Sequence, residues 1–348
     1  MIINKKKFIF FILIISLKGF SQPGASWQLQ LLAGESLIDK AGRIKPETHN
    51  FGFSIDYSKK TNGKRYWHYA NNFPQAGLHL TFKNLGNDSI YGHAVSLMPY
   101  LEFNVLTHKL GIFQIKHGAG IAYITKTHSD IYNPRNRLVS THLNASFILD
   151  LGYRFFISNK LDIKPGVVLH HMSNGGFKLP NRGVNTAFAY ISISYYPSGK
   201  KIEITDHEKE KNFPRFRYRV GTAFGFYNHR KGRDMDVNPQ FLAMVFYQHN
   251  SVFRSGLGME VGTPANSPTQ LSYYVEEEVQ FAHLITRYGF GAYILNKRIS
   301  GEDFYSKIGM GYYPKIKNKI PQGLYIAAHL KAHVFTAAHI ELSTGYTF

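Results

Sequence analysis

The sequence of 348 residues predicts an all-β protein, an antiparallel transmembrane β-barrel of the bacterial outer membrane. Three observations indicate this class. Apolar and polar residues alternate over stretches of about ten residues, the length that a tilted strand needs to cross a bilayer. Aromatic residues make up 15% of the chain, as expected for the aromatic girdles of such barrels. The last residues, 340–348, alternate in the same way and end in phenylalanine.

The clearest alternation runs over residues 143–155, where apolar side chains at odd positions alternate with mostly polar or small ones at even positions. Successive side chains of a strand point to opposite faces, so one face of this segment is apolar. Residues 78–83, 101–105 and 216–226 repeat the pattern. Counting such segments gives roughly 12 to 16 strands. We expect one barrel; the alternative is an eight-stranded barrel followed by a second β-barrel-like half.

Both ends of the chain indicate export. Three lysines at 5–7 precede the apolar run Phe8–Ile15, which predicts a secretory signal peptide over residues 1–21. Residues 340–348 resemble the C-terminal assembly signal of outer-membrane barrels, although a soluble periplasmic sandwich can also end in a strand. The sequence contains no cysteine, which excludes disulfides, lipoprotein acylation and thiolate metal ligands.

A highly charged stretch divides the mature chain. Residues 200–211 are rich in lysine, glutamate and aspartate, and strand patterns lie on both sides of them. The predicted divisions are therefore a first barrel half over 22–199, a charged linker over 200–213 and a second strand half over 214–348.

The motif whose side chains could catalyse a reaction is His171-Met172-Ser173-Asn174-Gly175-Gly176. His171 and Ser173 are two residues apart, so on a strand they share a face and the imidazole can reach the hydroxyl. The spacing alone is weak, because His249-Asn250-Ser251 repeats it by chance. The glycines and asparagines that follow Ser173 distinguish the first copy, since they offer donors for an oxyanion hole.

Parity places this motif on a lipid face. His171 and Ser173 are an even number of residues from the apolar residues of the strand over 161–169, so they point to the same face as those residues. Asn185 points to the same face as the apolar residues of the returning strand for the same reason. Polar groups in hydrocarbon are costly unless they satisfy one another, so the cluster predicts a functional site. The alternative is a set of solvated residues just above the bilayer. Short turns near 107–109 and 158–160 predict that the motif faces the cell exterior.

The predicted chemistry is ester hydrolysis. Ser173 is the nucleophile, His171 the general base, and Asn185 the group that orients the imidazole. The oxyanion donors are predicted to come from the following residues: Asn174, Gly175, Gly176 and Asn181.

Residues 171–176 together with Pro180-Asn181-Arg182-Gly183 resemble the active-site segment of PagL-type lipid A 3-O-deacylases and the related acyloxyacyl hydrolases. The resemblance extends over about residues 118–196. It implies that His171 and Ser173 are catalytic and that Asn181 belongs to the oxyanion hole. The family has glutamate where this chain has Asn185.

Asn185 instead matches outer-membrane phospholipase A, which resembles this chain in His-x-Ser-Asn-Gly and has its triad asparagine twelve residues after the serine. That enzyme uses calcium, whereas the loop here contains Lys178 and Arg182 and no carboxylate, a poor calcium site. The sequence therefore favours removal of an acyl chain from lipid A, with phospholipase activity as the alternative.

The charge of the chain favours an anionic lipid partner. Its formal net charge is +19. Basic residues in the two loops on the side of the motif are predicted to bind lipid A phosphates: Lys126, Arg135, Arg137, Lys178 and Arg182. The alternative is general adhesion to lipopolysaccharide. We expect no cofactor, no metal and no nucleic acid partner. A porin and a non-catalytic lipid-binding scaffold remain open, as does the oligomeric state.

Overall fold

The computed structural model describes residues 22–37, 48–205, 214–228, 236–250, 252–264, 268–281, 283–295, 303–314, 323–333 and 336–348. The predicted signal peptide and Ser251 lie outside these residues, as does the predicted linker beyond residue 205. No helix among the described residues is long and apolar enough to cross a membrane.

The first eight strands form one closed antiparallel barrel. They are β1 Ala25–Leu37, β2 Asn50–Lys60, β3 Gln75–Asn84, β4 His93–His108, β5 Gly111–Ile124, β6 Leu143–Phe156, β7 Leu161–Ser173 and β8 Val184–Tyr195. A short helix, α1 Tyr66–Ala70, lies between β2 and β3. The barrel closes because β1 pairs with β8, with Trp27 opposite Tyr195 and Leu37 opposite Asn185.

The next eight strands form a second closed antiparallel barrel. They are β9 Phe216–Tyr227, β10 Asp236–Gln248, β11 Phe253–Gly262, β12 Gln270–Phe281, β13 Leu284–Leu295, β14 Phe304–Tyr312, β15 Gly323–His333 and β16 Thr336–Thr347. Pairing of β16 with β9 closes it.

The predicted β-barrel class is confirmed, but the preference for a single barrel was wrong. The structure has the arrangement given as the alternative, an eight-stranded barrel followed by a second one. Closure of each set leaves no unpaired strand edge to extend into the other. Alternation along a strand is the same in either arrangement, so it does not reveal which strands close the ring. We propose 22–199 and 214–348 as the two domains.

The outer faces of both barrels are apolar and exposed, as a lipid-facing surface requires. Examples on the first barrel are Leu29, Leu31, Phe53, Ile55 and Leu80, and on the second Phe216, Tyr218, Val220, Phe241 and Val245. The alternation predicted for residues 78–83 and 143–155 therefore points the apolar side chains outward.

Charged side chains pair inside the first barrel. Lys116 Nζ lies 2.6 Å from Asp56 and 3.4 Å from Asp150, and Lys164 Nζ lies 2.6 Å from Glu102 and 3.1 Å from Asp150. Buried charges are tolerated when they are paired in this way. The lumen is therefore occupied by ion pairs.

The second barrel is filled in the same manner. Arg219 contacts Glu276 at 3.0 Å and Glu278 at 2.6 Å, and Lys331 Nζ lies 3.3 Å from Glu260. Ala223, a small inward residue, is buried and lies opposite Gln240 and Ser343 on the neighbouring strands. Neither lumen is lined only by small residues.

Aromatic contacts join the outer faces of the two barrels at one end. The ring of Phe281, at the end of β12, lies 5.6 Å from the ring of Trp67 in α1 and 5.9 Å from that of Phe103 in β4. Nearby, His117 and Tyr288 make an edge contact at 6.3 Å. These contacts hold one face of the second barrel against the first.

Candidate active site

His171 and Asn185 face each other across neighbouring strands. The antiparallel register of β7 and β8 places them directly opposite, and His171 Nδ1 lies 2.6 Å from Asn185 Oδ1. An amide oxygen only accepts, so Nδ1 carries the proton and donates it. This leaves Nε2 of the neutral imidazole as a proton acceptor. Nε2 is buried and has no hydrogen-bond partner among the described residues.

Ser173 ends β7 and is fully buried, with 0% of its surface exposed. Two groups donate hydrogen bonds to its Oγ: the Gly175 backbone N–H at 3.0 Å and the Asn181 side-chain amide at 2.9 Å. A nucleophilic oxygen that lies between two fixed donors is next to the position where negative charge develops during acyl transfer. Asn181 is itself held, because its Oδ1 accepts the Asn174 N–H at 3.2 Å.

Asn174 shapes the loop that follows the serine. Its Oδ1 accepts the Gly176 N–H at 3.0 Å, and its amide donates to the Lys178 carbonyl at 2.9 Å. Gly175 and Gly176 have φ values of 65° and 81°, in the left-handed region that only glycine adopts without strain. The asparagine and the two glycines therefore produce the tight turn that aims the Gly175 N–H at Ser173.

The four residues predicted as oxyanion donors thus divide into two groups. The Gly175 N–H and the Asn181 amide point at Ser173 Oγ. The Gly176 N–H and the Asn174 side chain are instead engaged within the loop. The structure brings the first pair to Ser173 Oγ, and the second pair shapes the loop that carries the first.

The loop also bonds to the neighbouring long connection between β5 and β6. The Gly183 N–H donates to the Leu138 carbonyl at 3.0 Å, and Ser140 Oγ lies 2.8 Å from the Lys178 carbonyl oxygen. The five predicted phosphate-binding side chains are all exposed on these two connections: Lys126, Arg135, Arg137, Lys178 and Arg182. Because the connections are bonded together, the cations lie on one end of the first barrel.

Residues 49–194 match the family model of the lipid A 3-O-deacylase PagL. This part of the chain is similar to the PagL family. The resemblance inferred from the motif is therefore confirmed, and the matched region contains β2 to β8 and all the residues predicted for the site.

Three solved structures illustrate what the chain is similar to. The crystal structure of the outer membrane enzyme PagL shares 18% identity, with a TM-score of 0.33, over 47% of this chain and 97% of that one. Acinetobacter baumannii OccAB4 shares 10% identity, with a TM-score of 0.24, over 94% and 99%. Pseudomonas aeruginosa OccK1 shares 9%, with a TM-score of 0.25, over 93% and 98%. No match was found among curated proteins.

The motif at residues 171–176 has neighbours that the sequence did not predict, and they belong to the second barrel. The Asn228 N–H donates to the Gly176 carbonyl at 3.0 Å. A Cβ placed on Gly175 would lie 2.3 Å from Cγ1 of Ile340, and one on Gly176 would lie 2.6 Å from the Ala338 carbonyl oxygen. The loop that aims the Gly175 N–H at Ser173 Oγ therefore packs against β16 and the end of β9. No local pattern links these residues to the motif, because the contact depends on how the barrels pack.

Proposed function

We propose that this protein is an outer-membrane serine esterase that removes an ester-linked acyl chain from lipid A of lipopolysaccharide. The observation that carries the proposal is the buried Ser173 Oγ, which accepts hydrogen bonds from two donors. Ser173 lies two residues after His171 on the same strand, and His171 Nδ1 donates to Asn185. The PagL-family match supplies the substrate class. The long connections that carry the motif support an active site toward the extracellular leaflet.

The proposed reaction has two steps. His171 Nε2 takes the proton of Ser173 as Oγ attacks the ester carbonyl, and the oxyanion receives hydrogen bonds from Gly175 and Asn181. The imidazolium then protonates the leaving sugar oxygen, and the acyl group stays on Ser173. Water, activated by the same imidazole, hydrolyses this acyl-enzyme and releases a free fatty acid.

Mass spectrometry of reaction products tests the proposal. Purified refolded protein is incubated with lipid A and, separately, with phosphatidylethanolamine, beside a Ser173→Ala control. Loss of a hydroxyacyl chain from lipid A, dependent on Ser173, is the expected result. Release from the phospholipid alone would make the protein a phospholipase A, the candidate that an asparagine at position 185 favours. Release from neither substrate by folded protein would refute the esterase proposal.

Asn185 is expected to orient the base without stabilising its charged form. Asn185→Ala removes the partner of Nδ1 and is expected to lower kcat by about 10- to 100-fold. Asn185→Asp keeps the size of the side chain and adds a charge-assisted hydrogen bond to the imidazolium, so kcat is expected to rise about tenfold. Steady-state kinetics of both variants checks the role. Full kcat in Asn185→Ala would show that the hydrogen bond does not serve catalysis.

The exposed cations are proposed to bind the lipid A phosphates. Replacing Lys178 and Arg182 together with glutamine is expected to raise KM for lipid A about tenfold, because two charge-assisted contacts are lost. An uncharged ester is expected to react normally with the variant. The matched control replaces Lys109 and Lys160, two exposed lysines at the other end of the same barrel. An equal rise in KM in both variants would indicate general adhesion to the anionic surface.

The paired charges inside both barrels argue against a channel. We expect no stable ion conductance when the protein is reconstituted into planar bilayers, because Lys116, Lys164 and Arg219 with their carboxylate partners occupy the lumens. Single-channel recording measures this directly. Discrete conductance steps from folded, purified protein would support the porin alternative instead.

A further inference from the structure

An apolar groove of about 570 Å³ lies on the outer face of the second barrel, across β9 and β13–β16. Its lining includes two small outward residues, Ala328 and Thr344, which are called its floor below. Larger side chains line it as well and are called its walls, among them Phe224, Met310, Ile326 and Leu342. The register of β15 with its two neighbouring strands explains why the surface is recessed here. Ala328 is small and exposed, and its neighbours on the two flanking strands are Met310 and Leu342.

None of the described residues that line this groove has a charged side chain. The Thr344 hydroxyl donates to the Tyr325 carbonyl at 2.8 Å, so it presents a satisfied polar group. A groove of this composition suits a hydrocarbon chain and offers nothing to a headgroup or a soluble polar ligand.

One end of the groove adjoins the candidate active site. Leu342 in its wall follows Ile340 by two residues, so both point to the same face of β16 about 7 Å apart. Ile340 packs against Gly175, whose N–H donates to Ser173 Oγ. An acyl chain whose carbonyl oxygen accepts from Gly175 would therefore emerge beside Ile340, at the start of the groove.

The other end of the groove adjoins the aromatic contacts between the barrels. Leu284, which also lines the groove, follows Phe281 by three residues, and Phe281 packs on Trp67 and Phe103 of the first barrel. The groove thus lies between two regions where the barrels touch. This position distinguishes it from the rest of the lipid-facing surface.

We propose that this groove holds the acyl chain of the substrate while its ester is at Ser173. The second barrel then sets acyl-chain selectivity, whereas the first supplies the chemistry. This inference rests on the proposed esterase function and adds the location of the chain that is cleaved.

Filling the floor of the groove tests the proposal. Ala328→Trp places an indole between Met310 and Leu342, and the matched control is Ala243→Trp, an exposed outward alanine of β10. The rates of hydrolysis of a long-chain and a short-chain nitrophenyl ester in detergent micelles are compared. Ala328→Trp is expected to lower the long-to-short rate ratio about tenfold, because contacts with several methylenes are lost. The ratio is expected to stay unchanged in Ala243→Trp. An unchanged ratio in folded Ala328→Trp would overturn the proposal.

A binding measurement separates this inference from the esterase proposal. A phospholipid with a photoreactive diazirine at the end of its acyl chain is irradiated with the Ser173→Ala protein, and labelled peptides are identified by mass spectrometry. Enriched labelling of β14–β16 over β10–β11, lost in Ala328→Trp, supports the groove even if the wild type hydrolyses no ester. Uniform labelling of all outward strands would refute it, whether or not the wild type is an active esterase.

Discussion

Ser173→Ala is expected to lower kcat/KM for ester hydrolysis by about 10,000-fold or more, because it removes the atom that forms the acyl-enzyme. The substitution deletes only Oγ from a buried residue, and it leaves the Gly175 N–H and the Asn181 amide in place. The melting temperature is expected to fall by a few degrees, because these two buried donors lose their acceptor. Initial rates of the wild type and the variant in the same detergent measure the effect.

The chain offers a matched control for this substitution. Ser255 Oγ also lies close to a histidine, 2.7 Å from His249 Nε2, but it contacts Glu277 Oε2 at 2.8 Å. Ser255→Ala is expected to leave the rate unchanged, since that pair lacks the glycine loop that follows Ser173. Substantial hydrolysis by Ser173→Ala would mean that another group is the nucleophile.

Gly175→Ala is expected to lower kcat by about 100- to 1,000-fold, the range seen when an oxyanion donor is lost. Two features of the structure oppose a side chain here. The φ of Gly175 is 65°, and an added Cβ would lie 2.3 Å from Cγ1 of Ile340. The loop must therefore move, and the N–H leaves its position at Ser173 Oγ. The split between kcat and KM measures the loss, because the residues that line the groove are unchanged.

A second substitution separates the collision with Ile340 from the backbone strain as causes of the loss of kcat. Combining Gly175→Ala with Ile340→Ala removes the collision with Ile340 but not the backbone strain, so a several-fold recovery of kcat is expected. Gly199→Ala is the matched control, because Gly199 also has a positive φ, 77°, but lies in the connection after β8. Equal kcat losses in Gly199→Ala and Gly175→Ala would indicate a general effect on folding rather than on the oxyanion donor.

The motif could be found from the sequence because its parts are local. His171, Ser173 and Asn185 lie within fifteen residues, and strand parity alone places the first two on one face. The pairing of His171 with Asn185 follows from a single strand register. The separate tasks of Gly175 and Gly176 did not follow, because they depend on which N–H group the Asn174 side chain engages.

The sequence by itself determined the strands, the apolar outer faces and the residues at the end of β7, since alternation and motif spacing are properties of neighbouring residues. Only the tertiary structure decided that the sixteen strands close into two barrels, because closure depends on the pairing of β1 with β8 and of β9 with β16. It alone brings Ile340 to Gly175, more than 160 residues earlier in the chain. Contacts between two apolar outer faces depend on the shape of both surfaces, and the alternation that makes each face apolar carries no information about which residues meet.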